Sequence, residues 1–138
     1  MMDLTQITSA LASALAPMLP TANVYAEIVP EVRTDDVGHP VDVVVLSGPI
    51  SEITPPNFTY KARVEIVVFY QPQAAGVDGS AAVAQVESAL SSIFSGWTAS
   101  TVADLPVYLY EAKPLPVIPK KSTLSYEYHI PYTLFLQF

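Results

Sequence analysis

The last residues of the chain alternate between apolar and polar side chains. One side of this pattern holds Leu124, Tyr126, Tyr128, Ile130, Tyr132, Leu134, Leu136 and Phe138. A period of two predicts a β-strand over 124–138 with one buried face. This strand is unusually long, and Pro131 within it has no N–H to donate to a sheet. We therefore expect an edge strand, part of which projects beyond the sheet toward a neighbouring subunit.

The same alternation over 60–70, YKARVEIVVFY, predicts a second long strand. Shorter apolar runs over 23–29, 41–47 and 105–113 predict three more. Gly48 and Pro49 are expected to end the strand over 41–47, because Gly and Pro commonly interrupt regular structure. The segments 48–58, 71–79 and 114–121 are predicted to be loops.

Two segments have helical spacing instead. Leu4, Ile7, Leu11, Leu15 and Met18 or Leu19 form one apolar stripe, and the helix should end near Pro17 to Pro20. A second helix is predicted from a cap at Asp78 or Ser80 to Trp97, and its stripe holds Val83, Val86, Leu90, Ile93 and Phe94. The order of elements predicts an α+β fold. We expect one domain over 1–138, with a mostly antiparallel sheet of four to five strands and both helices on one face.

The sheet face that the helices leave open should be partly polar. Lys61, Glu127, His129 and Thr133 fall on it, and His129 is interpreted as a surface imidazole. The same face also carries large apolar groups, which are usually covered by a partner. A loop over 114–121 that folds across them is the alternative. The residues predicted to form a subunit interface are Arg63, Glu65, Val67, Phe69, Phe135 and Phe138.

Charge and composition narrow the function classes. The net charge is −7 with six Lys and Arg residues, which argues against binding to a phosphate backbone as the main role. Charged residues make up 14% of the chain, against a typical value of about 25%. We interpret this low fraction as a sign that partners cover part of the surface. No apolar run approaches the length of a membrane span.

The search for catalytic chemistry finds no recognisable active site. The chain has no cysteine, which excludes thiol nucleophiles and thiolate metal sites. His39 lies in a polar segment near Asp35 and Asp36 without a second ligand pair at fixed spacing. Ser47 follows a strand but lacks the Gly-x-Ser-x-Gly context of a nucleophile elbow. We predict no catalytic, cofactor or metal residue, and no cofactor.

The order of these segments resembles the family of bacteriophage tail terminator, or tail completion, proteins. The resemblance rests on ITSALASALAPML, VYAEIVP, VDVVVLSGP, ARVEIVVFYQ and AAVAQVESALSSIF. It implies a non-enzymatic virion protein that forms a hexameric ring, caps the tail tube, ends tube polymerisation and joins the tail to the head connector. It further implies contacts with tail-tube and neck proteins, DNA passing through the lumen without specific binding, and location in the tail-neck region after assembly in the host cytoplasm. The insertions ISEITPPNF and PLPVIPKK and the long last strand depart from the family pattern.

The residues expected to dock the ring onto the tube or the head are Ile50, Glu52, Asp78, Lys120 and Lys121. A head–tail connector or neck ring protein is the closest alternative function. A small ligand-binding α+β domain that uses tyrosines as a pocket is another alternative.

Overall fold

A computed structural model describes residues 4–20, 22–28, 41–54, 59–70, 79–99, 101–103, 105, 107–121 and 126–137. Within these residues there are two α-helices: α1 spans Leu4–Leu15 and α2 spans Gly79–Thr98. The strands are β1 Ala22–Ala26, β2 Val41–Thr54, β3 Thr59–Tyr70, β4 Tyr108–Pro114, β5 Ile118–Lys121 and β6 Tyr126–Gln137. The fold is α+β, as predicted.

The six strands form one sheet in the order β1-β2-β3-β6-β4, with β5 also paired to β6. All pairings are antiparallel except that of β1 with β2. Strands β4 and β5 follow each other along the same side of β6, from Tyr108 opposite Gln137 to Lys121 opposite Tyr126. The sheet therefore has five rows, and the last row is one interrupted edge strand.

The position of β6 corrects the prediction of an edge strand. It lies between β3 and the β4–β5 row, so both of its sides are paired. The carbonyl of Pro131 accepts a hydrogen bond from the N–H of Leu115, 3.0 Å away, in the interruption between β4 and β5. In an antiparallel pair the N–H and C=O of a residue point to the same neighbouring strand. The missing N–H of Pro131 thus faces an irregular stretch, where proline is accepted.

Both helices pack on one face of the sheet. Leu11 and Leu15 of α1 and Leu90 of α2 are fully buried against strand residues such as Ile66 and Leu134. Helix α1 begins and ends close to the prediction because its apolar stripe and Pro17 are local signals. A 3₁₀ turn over Ala16–Met18 follows it and leads into β1.

Glu27 ties these elements together at the end of β1. Its φ is +64°, a left-handed conformation that is uncommon for a residue with a side chain. The Glu27 carboxylate accepts hydrogen bonds from the backbone N–H of Ser47 at 2.9 Å and from the hydroxyl of buried Thr8 at 2.8 Å. One side chain therefore connects the end of β1 to both β2 and α1.

Candidate contact face of the sheet

The face opposite the helices, called the open face below, is built from alternate residues of all five rows. At its centre, Val44 of β2 lies opposite Val67 of β3, and Val67 lies opposite His129 of β6. Next to these residues, Asp42 lies opposite Phe69, and Phe69 lies opposite Glu127. The predicted interface residues of β3 and β6 thus share one face, as their alternation requires.

The apolar centre of the open face is buried within the chain itself. Val44, Val67 and Phe69 are at most 5% exposed and form a second small core, against which Tyr25 and Leu46 pack. Phe135, further along β6, is partly exposed. Val67 and Phe69 therefore stabilise the single subunit, whatever further contact this face makes.

A histidine flanked by two carboxylates lies beside this small core. The Nδ1 atom of His129 contacts a carboxylate oxygen of Glu65 on β3, and its Nε2 atom lies 3.1 Å from a carboxylate oxygen of Glu127. The His129 side chain is 15% exposed. The interpretation of His129 as a surface imidazole was therefore wrong.

Sequence reasoning missed this arrangement because Glu65 and His129 are far apart in the chain and meet only through the β3–β6 register. The available signal was local: Glu127 and His129 are two residues apart and so share a face of one strand. The three side chains crosslink two central strands. Within the described residues, no group of three or more His, Asp or Glu side chains is arranged to hold a metal ion.

The far end of the open face is cationic. Arg63 on β3 lies opposite Thr133 of β6, which in turn lies opposite Lys113 of β4. Lys61 lies one step further along β3, opposite Phe135. The side chains of Lys61, Arg63 and Lys113 are all exposed. Three of the six basic residues of this acidic chain are thus concentrated here.

The predicted docking residues are less fully described. Asp78 and the interface candidate Phe138 lie outside the described residues. Ile50 and Glu52 lie in β2, and Lys120 and Lys121 lie in β5, where the structure describes the backbone but not their side chains. The prediction that 48–58 is a loop was wrong up to Thr54, because β2 continues through Gly48 and Pro49 with a register shift. Likewise, 114–121 contains the end of β4 and all of β5, so it does not fold over the open face as a loop.

A cleft of about 300 Å³ lies between α2 and β4, on the side of the helices. Its lining includes Ser91 and Phe94 from α2, Glu111 from β4 and Tyr132 from β6. The rings of Phe94 and Tyr132 are 4.9 Å apart. Burial, and secondarily the nearby charge of Glu87, raise the pKa of the Tyr132 hydroxyl above its ordinary value. Both causes favour the neutral phenol over the phenolate.

No helix in the described part of the chain is long and apolar enough to cross a membrane.

Comparison with solved structures gives the fold a precedent. The chain is similar to a chain in the virion of a native gene transfer agent particle, with a TM-score of 0.55 and 15% identity over 98% of this chain and 95% of the other. A second solved structure, whose name carries no function, gives a TM-score of 0.55 at 15% identity over 100% of this chain and 98% of the other. No family model and no curated protein matches the sequence. At this identity, the similarity shows a shared fold that extends over the whole length of both chains.

Proposed function

We propose that this chain is a non-enzymatic structural component of a phage-like virion. The observation that carries the proposal is the full-length match in fold to a chain of a gene transfer agent virion. The match covers nearly all of both chains, so the similarity is not confined to one part of the fold. Fold alone does not define function, so the support also includes the order of sequence segments that resembles tail terminators.

Within that class, the proposed role is that of a tail terminator. Copies of the chain form a ring, with six subunits by the family resemblance, that caps the tail tube, ends its polymerisation and joins the tail to the head connector. DNA passes through the lumen without specific binding. A net charge of −7 favours such passage, because an acidic lumen repels the duplex.

A head–tail connector or neck ring is the second candidate, and the same match to a virion chain supports it equally. The two roles differ in the partner that the ring binds. A terminator binds the tail-tube protein, whereas a connector binds the portal and its adaptor. Small-molecule binding in the α2–β4 cleft is the third candidate, and a ligand-dependent rise in melting temperature would favour it.

The test is binding of the purified protein to the tail-tube protein and, separately, to the portal–adaptor complex of the same particle. Light scattering and negative-stain images would report mass and shape. Rings that cap tubes and limit their length support the terminator role. Binding to the portal side alone supports the connector role, and binding to neither partner would refute both.

Charge-reversal variants make this test specific. Lys120→Glu combined with Lys121→Glu removes the predicted docking charges and is expected to weaken attachment to the tube or the head. Glu substitutions at four exposed positions of α2, Ala84, Gln85, Ser88 and Ser92, change the net charge by the same four units and serve as the matched control. Equal losses in both variants would mean that overall charge, not the predicted docking site, controls attachment.

A further inference from the structure

The exposed large apolar side chains of this protein lie at the two edges of its sheet. Among the described residues they are Met18, Ile28, Tyr108, Tyr110 and Ile118, with exposures from 40% to 67%. Met18 belongs to the turn that leads into β1, and Ile28 follows β1 closely. Tyr108, Tyr110 and Ile118 belong to the β4–β5 row at the opposite edge. Tyr108 and Ile118 lie opposite Gln137 and His129 of β6, so they are on the same side of the sheet as the open face, at its edge.

The backbone at these edges is suited to further pairing. Strand β1 is bonded to β2 on one side, and no described strand pairs with its other side. Its sequence, ANVYA, contains neither proline nor charge, which are two features that commonly protect an edge from association. Along the opposite edge, the capacity for further pairing varies from one part to the other. Pro114 and Pro119 interrupt its donors, whereas Tyr108–Lys113 contains no proline but carries the charges of Glu111 and Lys113.

Among the described strands, two edges of similar length are therefore unpaired, on opposite sides of one sheet. The five residues of β1 correspond to the six proline-free residues of β4. The apolar side chains are divided between the same two places. A contact that joins β1 of one copy to β4 of the next uses two different surfaces, so it is head-to-tail. Repeated head-to-tail contacts generate a ring when the rotation between subunits closes.

We infer that copies of this chain associate edge to edge, with the β1 edge of one subunit against the β4 edge of the next. This rests on the proposed assembly into a ring and names the surfaces that form it. Main-chain hydrogen bonds extend the sheet from one subunit into its neighbour. Met18 and Ile28 then pack near Tyr108, Tyr110 and Ile118 of the adjacent copy. This contact differs from the one predicted through Arg63, Glu65, Val67, Phe69 and Phe135, because the apolar centre of that face is already buried by its own subunit.

The experiment uses three double-lysine variants of the full chain. The β1-edge variant combines Met18→Lys with Ile28→Lys, and the β4-edge variant combines Tyr108→Lys with Ile118→Lys. The control combines Ala84→Lys with Ser88→Lys on the exposed side of α2, so all three variants gain the same charge. Circular dichroism and thermal melting first establish that each variant folds. Analytical ultracentrifugation and light scattering then measure self-association, with and without the tail-tube protein.

Each edge variant alone is expected to weaken self-association about 100-fold or more, because buried apolar anchors dominate interface affinity. The control should associate like the wild type. The decisive sample is an equimolar mixture of the two edge variants. Each member then retains one intact edge, so the mixture should form a one-to-one dimer and nothing larger.

The inference would be overturned by self-association of both edge variants at wild-type strength, by a mixture that remains monomeric, or by a wild-type protein that stays monomeric even with the tube protein. A β4-edge variant that loses association while the β1-edge variant still dimerises would also overturn it, since that result indicates β4 pairing with β4.

Failure of this inference is distinguishable from failure of the proposed function. Rings that cap tubes but ignore the edge substitutions reject only the edge contact, whereas edge-dependent oligomers that bind no tail or head protein reject only the virion role.

Discussion

Phe69 provides the most direct test of whether the open face is part of the subunit's own core. Its side chain is 5% exposed and packs with Val44 and Val67. The change Phe69→Ala removes most of that packing and leaves a cavity. Such substitutions cost about 3–5 kcal/mol in a full core. Because this core is small, we expect the lower end, a loss of about 3 kcal/mol in the free energy of unfolding.

The matched control is Phe135→Ala. Phe135 lies on the same face of the sheet but is only partly buried, so much of its ring is already hydrated in the folded state. Burial energy scales with the apolar area removed from water, and we expect a loss of about 1 kcal/mol. Both substitutions remove the same atoms, so the difference between them isolates burial.

The assay is urea unfolding at several protein concentrations. With a slope of about 1.5–2 kcal/mol per molar urea for a domain of this size, a loss of 3 kcal/mol lowers the midpoint by about 1.5–2 M. The shift should not depend on protein concentration, because the contacts lie within one chain. A midpoint lowered by less than about 0.5 M, or a shift that grows with protein concentration, would refute the reasoning and return Phe69 to the subunit interface.

Two further changes test local features of the structure. Gly48→Ala places a Cβ 2.9 Å from the carbonyl oxygen of Arg63 and should lower the free energy of unfolding by about 1–3 kcal/mol. Gly96→Ala on α2 places a Cβ that meets no atom within 4 Å and should raise the free energy of unfolding by about 0.5–1 kcal/mol. Urea unfolding of both variants checks this, and shifts of the same sign would contradict the packing around Gly48. Tyr132→Phe removes a hydroxyl whose pKa is raised on folding, chiefly by burial and then by Glu87. The raised pKa contributes stability that is present below about pH 10 and is lost as the pH rises through the folded-state pKa. Thermal melting from pH 7 to 11 should therefore show a smaller fall in melting temperature at alkaline pH for the variant than for the wild type. An equal fall in both proteins would exclude this contribution.

Local sequence patterns were sufficient to predict the fold class and most of the regular elements. The apolar stripe of α1 and the prolines after it are local signals, and the helix ends at Leu15 as they indicate. The alternation over 60–70 likewise located β3, which spans Thr59–Tyr70. Such patterns are readable because helix and strand periods depend on neighbouring residues of the same chain. They also placed Glu65, Val67 and Phe69 correctly on one face of the sheet.

Which strands are neighbours, and what each face of the sheet contacts, could be seen only in the folded chain. Alternation showed that β6 has a buried side, but only pairing with β3 and β4 made it central. Pro131 was compatible with an edge or with an irregular stretch, and the interruption beside Leu115 selected the second. His129 contacts the carboxylate of Glu65 because of the β3–β6 register, which no local sequence pattern encodes. Strand partners come from distant parts of the chain, so their choice reflects the packing of the whole sheet and its helices.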